Sequence, residues 1–426
     1  MTLDKNSHLQ DADIADLLRQ ARFDEVVFGA LAMGNNISDI AARCFRRIFY
    51  TRSTAFALSN EAEEAIKKAA DDGNPHAQFA HARVLLLGNW KMDDIEESVD
   101  YLDKACEQGL SDATAAFGEA FYYGDFGLVD RSKAKEYLLE SLEQSSDYGA
   151  FVHAKNVLFG TQDNDINTDL VITVTTALIE KEEGEGMPSA IWKYLRGIAY
   201  EADGNVEAAC RDYEDAADNG IPDAWACLAE ARCIDHETGE FTDLEEYERL
   251  LNEGVRHHSA DALQLMYVPV VATFDSLDEE TQKSLSDEII ENITTSFFWG
   301  SKTAPVLLGD IYYNGWCNQP EDNQQAWGWY ARAALWENPE GYEKMFDMVS
   351  DGLIDCEQDH CDDIAIRGAR LGSEKLTIET VDAYYAGRLT DFAAEIEQYY
   401  IPLYKKNEED EEDEGPDDDG RFDAWS

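Results

Sequence analysis

Gly88, Gly124 and Gly160 stand 36 residues apart, and the same step joins Ala77 to Ala113 and Gly149. It also joins Tyr101 to Tyr137, Leu102 to Leu138, and Ala105 through Ser141 to Ala177. Five series sharing one period describe a single supersecondary unit copied along the chain. Such a unit cannot bury its apolar face alone, whereas stacked copies bury a continuous core. The period therefore predicts a solenoid, with a long surface in place of one enclosed pocket. The step is strict from about Pro75 to Lys181, is 34 between Ala190 and Ala224, and blurs beyond Gly254.

The unit from Leu110 to Ser145 shows how the period encodes two helices. Ala113, Phe117 and Phe121 recur at i, i+4 and i+8, the apolar stripe of a first helix. Gly118 leaves room for a close neighbour, and Gly124 supplies a helix stop with positive φ. Asp130 is placed to cap a second helix whose inner stripe is Ala134, Tyr137, Leu138, Ser141 and Leu142. Residues 75–109, 187–220, 221–254 and 304–337 fit the same template, and residues 61–73 read as the second helix of a degenerate first unit. Residues 146–186, 255–302 and 338–400 fit it loosely.

The pattern A-x-x-x-[LF]-G-x-x-[YF]-x-x-G, then D-x-x-K-A and Y-x-x-x-A-x-x-x-G, resembles the Sel-one-like repeat, a relative of the tetratricopeptide repeat. FGEAFYYG at 117–124 and LGDIYYNG at 308–315 are its nearest matches. The resemblance implies an all-α fold, a right-handed superhelix of antiparallel helix pairs with about 34–36 residues per repeat. It also implies an adaptor in protein complexes, with a partner on the concave surface and no catalysis. The expected organisation is a helical N-terminal cap over 1–59, a solenoid over 60–400 and a disordered acidic tail over 407–426.

Charge narrows the partners. There are 34 basic and 89 acidic residues, a formal net charge of −55. The tail from Asn407 holds eleven acids against Arg421, so about −45 remains on the rest of the chain. Such a surface repels phosphate backbones and anionic membranes, which argues against nucleic-acid or membrane partners. It suits either a salty host interior or a basic protein partner. Met1 to Arg22 is polar and no long apolar run follows, so the expected location is cytoplasmic. The eight cysteines do not follow the repeat and are expected as small buried apolar groups, not disulfides.

Several clusters invite chemistry. Cys356, His360 and Cys361 are metal-type ligands, and a metal-binding or hydrolytic protein using them is one alternative function. Their spacing matches no recognised zinc pattern, so neither metal nor cofactor is expected. Asp163, Asp165, Asn167 and Asp169 alternate as in a calcium loop, without the glycine and glutamate that such a loop needs. His81 and His153 are two periods apart, at a position expected to face the helix-pair core.

The positions that do not repeat are the candidates for recognition. Tyr122, Tyr313, Trp316 and Trp327 form the expected aromatic contact set, aromatics being favoured interface anchors. Phe422 and Trp425 end the acidic tail, where charge steers and a ring docks. Arg43, Arg46, Arg47 and Arg52 make a basic island that is expected to meet that tail, in cis or in trans. A further alternative is an acidic, chaperone-like binder of basic proteins.

Overall fold

The computed structural model describes residues 10–88, 92–124, 130–158, 167–235 and 238–405. They fall into two compact units, residues 1–336 and 337–426. Among the described residues the structure is helical, apart from one isolated bridge between Ile234 and Phe241.

The first unit is a run of helix pairs. Pro75–Gly88 pairs with Met92–Glu107, Ser111–Tyr123 with Arg131–Glu143, and Asp147–Leu158 with Thr168–Glu185. Ala190–Ala202 then pairs with Val206–Asp218, and Ala224–Cys233 with Leu244–Arg256. Ala260–Thr273 with Glu279–Trp299 and Ala304–Asn314 with Asn323–Leu335 complete the run. The loosely patterned stretches at 146–186 and 255–302 also fold as two helices each, because burial of one apolar stripe per helix suffices without a strict repeat. Gly124 and Gly315 end first helices in the left-handed conformation at φ +82° and +68°. Asp130 caps its second helix by accepting from the Lys133 amide at 2.9 Å, and Asp322 does the same from the Gln325 amide at 3.0 Å.

Three pairs close on a glycine. Leu138 packs over Gly118, Tyr213 over Gly197 and Tyr330 over Gly309, so one large side chain of the second helix lies on a bare backbone of the first. Tyr137 stacks on Phe117 and Phe121 with ring centroids 5.6 and 5.7 Å apart.

Helices Asp11–Arg19, Phe23–Ala32, Asp39–Arg47 and Arg52–Ala55 belong to the same core as the repeats. Ala41, Cys44, Phe45, Ile48 and Phe49 are almost fully buried in one cluster with residues as distant as Trp192.

In the second unit, Pro339–Ser350, Gln358–Arg370 and Glu374–Tyr385 pack in succession. A short π turn over Ile396–Tyr400 closes its core of Ile366, Ala369, Val381, Ile396 and Tyr400.

Candidate functional site

The basic island is not on the surface. Helix Asp39–Arg47 carries seven buried residues, Arg43, Arg46 and Arg47 among them. Three arginines at i, i+3 and i+4 share one helical face, and each meets carboxylates from far along the chain. Arg43 donates from Nε to Asp147 at 2.6 Å, from Nη1 to Glu185 at 3.0 Å and from Nη2 to Glu182 at 3.1 Å. Arg46 donates from Nε to Asp112 at 2.6 Å and shares a 2.9 Å contact with His76 Nδ1. Arg47 pairs with the buried Glu182 carboxylate and donates to the Pro188 carbonyl, 141 residues away.

The contacts continue down the segment. Arg52 donates to the Leu87 carbonyl at 3.1 Å and lies over the Trp336 ring, 5.3 Å from its centroid. Ser53 donates to Asp223 at 2.7 Å across 170 residues, and Phe56 tilts against Trp336. Tyr50 sits 4.8 Å from Tyr148 and 5.3 Å from Phe151, ring to ring. One short segment therefore touches residues from His76 to Trp336. Such a spread requires several repeats to pack around the segment.

Two of the receiving acids, Asp112 and Asp147, share a position with Asp223 and Asp261, whereas Glu182 and Glu185 end the second helix Thr168–Glu185. Asp112, Asp147 and Asp261 lie in the first turns of first helices, and Asp223 is the N-cap of another. At that position a carboxylate is favoured by the helix dipole and projects from the helix end. Beside them, Glu119 gathers Arg83 at 2.8 Å, Lys155 at 2.6 Å and the Tyr148 hydroxyl. Arg83 also donates to the Phe49 carbonyl at 3.3 Å, which ties this network to the buried segment.

Electrostatics follow from this geometry. Burial alone would raise the Asp112 carboxyl, but the Arg46 guanidinium, Ser146 and the Tyr148 amide hold it below its ordinary value. Burial also works against Glu119, and Lys155 with Arg83 brings it well below the usual carboxylate range. His76 is lowered to about 4 by burial and by Arg46, so it stays neutral and accepts from the guanidinium. Asp223 differs. With a serine where its counterparts have arginine, it is pushed up to about 7 by burial and by the neighbouring Asp261.

The expected contact residues have separate fates. Tyr122 is buried, 7% exposed, under the Arg131 guanidinium, so it is not a surface anchor. Trp316 follows the left-handed Gly315 and is 41% exposed. Tyr313 and Trp327 are half-buried on the same helix pair. Phe422 and Trp425 lie outside the described residues, as does most of the Asp163–Asp169 loop. Its end is described: Asn167 caps the next helix, accepting from the Leu170 amide at 2.9 Å. His81 is buried beside Tyr101, whereas His153 is exposed, against the expectation that both face the core.

Among the described residues no group of three or more His, Cys, Asp or Glu side chains is arranged to hold an ion. Cys356 precedes helix Gln358–Arg370, and His360 is exposed in its first turn. All eight cysteines are free, but only Cys44, Cys233 and Cys317 are buried. No described helix is long and apolar enough to cross a membrane.

The buried segment went unread because its arginines look like a surface patch in isolation. One available signal was the aspartate at the start of four first helices, in SDAT, SDYG, PDAW and ADAL. Two of these acids, Asp112 and Asp147, receive arginines of helix Asp39–Arg47.

No family model and no curated protein matches the chain. Among solved structures it is similar to a Sel1 repeat protein from Oxalobacter formigenes, with 16% identity and a TM-score of 0.36, over 76% of this chain and 92% of that one. It is similar to a protective antigen of uropathogenic Escherichia coli strains displaying an SLR fold, with 16% identity and a TM-score of 0.36, over 98% and 100% of the two chains. A circular tandem repeat protein aligns with 15% identity, covering 94% and 97%, at a TM-score of 0.13. The all-α repeat architecture rests on the helix pairs themselves.

Proposed function

We propose that this chain is a non-catalytic protein-interaction scaffold that meets its partner on outward-facing surface. The observation that carries this reading is the buried arginine segment. Arg43 and Arg46 take Asp147 and Asp112 of two first helices and Arg52 takes the Leu87 carbonyl, so we read the groove expected from the repeat as occupied in cis. Large apolar side chains nevertheless stand exposed on second helices of the array: Leu139, Leu170, Leu244, Phe298 and Leu335, with Trp316 beside the last pair. They sit in a strongly acidic chain, a pattern that suits a basic protein surface with apolar contacts at its centre.

Within that surface we assign the anchoring role to Trp316, flanked by Tyr313 and Trp327. The test immobilises the full chain and a Tyr313→Ala, Trp316→Ala, Trp327→Ala variant, and compares what each retains at low and at raised salt. The reading expects basic proteins on the unmodified chain, fewer on the variant, and release of the remainder as salt screens the charge. Identical retention by both, unchanged by salt, contradicts it.

A further inference from the structure

We propose that Cys356 and Cys361 are a redox-closing pair that clips the start of helix Gln358–Arg370, with a low-molecular-weight disulfide as oxidant. The helix is capped by Glu357, whose backbone is extended at φ −71° and ψ 147°. Cys356 is therefore the residue before the cap, and Cys361 is the fourth residue of the helix. Side chains at these two positions pack on each other wherever a helix is entered in this way, the arrangement that an apolar pair uses as a hydrophobic staple. Here both are thiols.

The local backbone holds the pair in register. The Cys361 amide donates to the Glu357 carbonyl at 3.1 Å, and the Cys361 thiol reaches the same oxygen at 3.3 Å. Both sulfurs are half-buried, unlike the enclosed Cys44, Cys233 and Cys317, so a small disulfide can reach them. The pair also explains why two metal-type ligands lie together with no third ligand at hand.

The exchange runs in two steps. Cys361 loses its proton and attacks one sulfur of the external disulfide, and the other sulfur leaves as a thiolate. Cys356 then gives up its proton and attacks the Cys361 sulfur of the mixed disulfide. The internal S–S bond forms and the second external thiolate departs. Two electrons pass from the cysteine pair to the external disulfide, and the two released protons convert the departing thiolates to thiols.

The pair can be read directly by mass. Trypsin cleaves after Lys344 and Arg367, and the peptide between them contains Cys356 and Cys361 and no other cysteine. The full chain is equilibrated in buffers of rising oxidised-to-reduced glutathione ratio, alkylated in the folded state and again after unfolding, and digested. The inference expects this peptide to lose the mass of two hydrogens and to escape alkylation while the Cys44 and Cys233 peptides remain fully alkylated. Cys356→Ser, a small change at a half-buried site, should instead halt at a glutathione adduct on Cys361. Alkylation of both cysteines at every ratio, or a lasting adduct on the unmodified chain without an internal bond, overturns it.

Discussion

At Gly197 the repeat depends on a missing side chain. A Cβ there would come within 2.6 Å of Tyr213 Cε1, and one at Gly118 within 2.7 Å of Leu138 Cγ. The large ring is itself almost fully buried and cannot retreat. Gly197→Ala should therefore cost about 1–3 kcal/mol, the range for overpacking a filled core, read as a lowered urea midpoint with an unchanged slope. An unchanged midpoint would mean that the pair closes less tightly than described. Asp223 gives a prediction in pH. Its ordinary value is 3.8, and burial with Asp261 beside it moves it to about 7 in the folded chain. Between these values the folded chain keeps a proton that the unfolded chain releases. The resulting stability is whole below the lower value and is lost as pH rises through the upper one. Asp223→Asn should thus stabilise more at pH about 8 than at pH about 4, as measured by urea unfolding across that range. A difference between the two proteins that does not vary with pH would remove this account of the pair.

Helix pairs were the legible part of the sequence. Gly124, Gly315 and Asp130 act where spacing places them, because helix stops and caps are decided within a few residues. Trp316 is exposed for the same local reason, as the residue following the stop. The role of residues 39–56 was not legible. Their contacts lie from His76 to Trp336, and no local pattern states which distant carboxylate an arginine will meet. Period alone does not reveal that the Arg131 guanidinium lies over Tyr122. At the element scale the sharpest prediction concerns Glu182, which is fully buried and takes both Arg43 and Arg47. Glu182→Gln leaves two enclosed guanidiniums with less compensation, at a cost of about 3–5 kcal/mol, the usual result of breaking a buried ion pair from one side. Urea unfolding reads it. A cost below about 1 kcal/mol, the value of a surface pair, would contradict the buried assignment.

A simple repeat array is held together by neighbours alone and can open from either end. The first unit here should behave otherwise, because one segment bonds to several repeats at once, from that of Asp112 to that of Asp223. Arg46 reaches Asp112, Arg43 reaches Asp147, Arg47 reaches Glu182 and Ser53 reaches Asp223, so loss of the segment weakens all of these repeats together. This coupling sets the functional reading as well, since a groove occupied in cis moves recognition to the exposed side chains of the second helices. Native-state hydrogen exchange of the full chain tests the claim directly. The amides of helix Asp39–Arg47 should be among the slowest, and should exchange in one cooperative step with helices Ser111–Tyr123 and Asp147–Leu158. Early exchange of residues 39–47 while those two helices stay protected would show that the array stands without the segment, and would contradict the account.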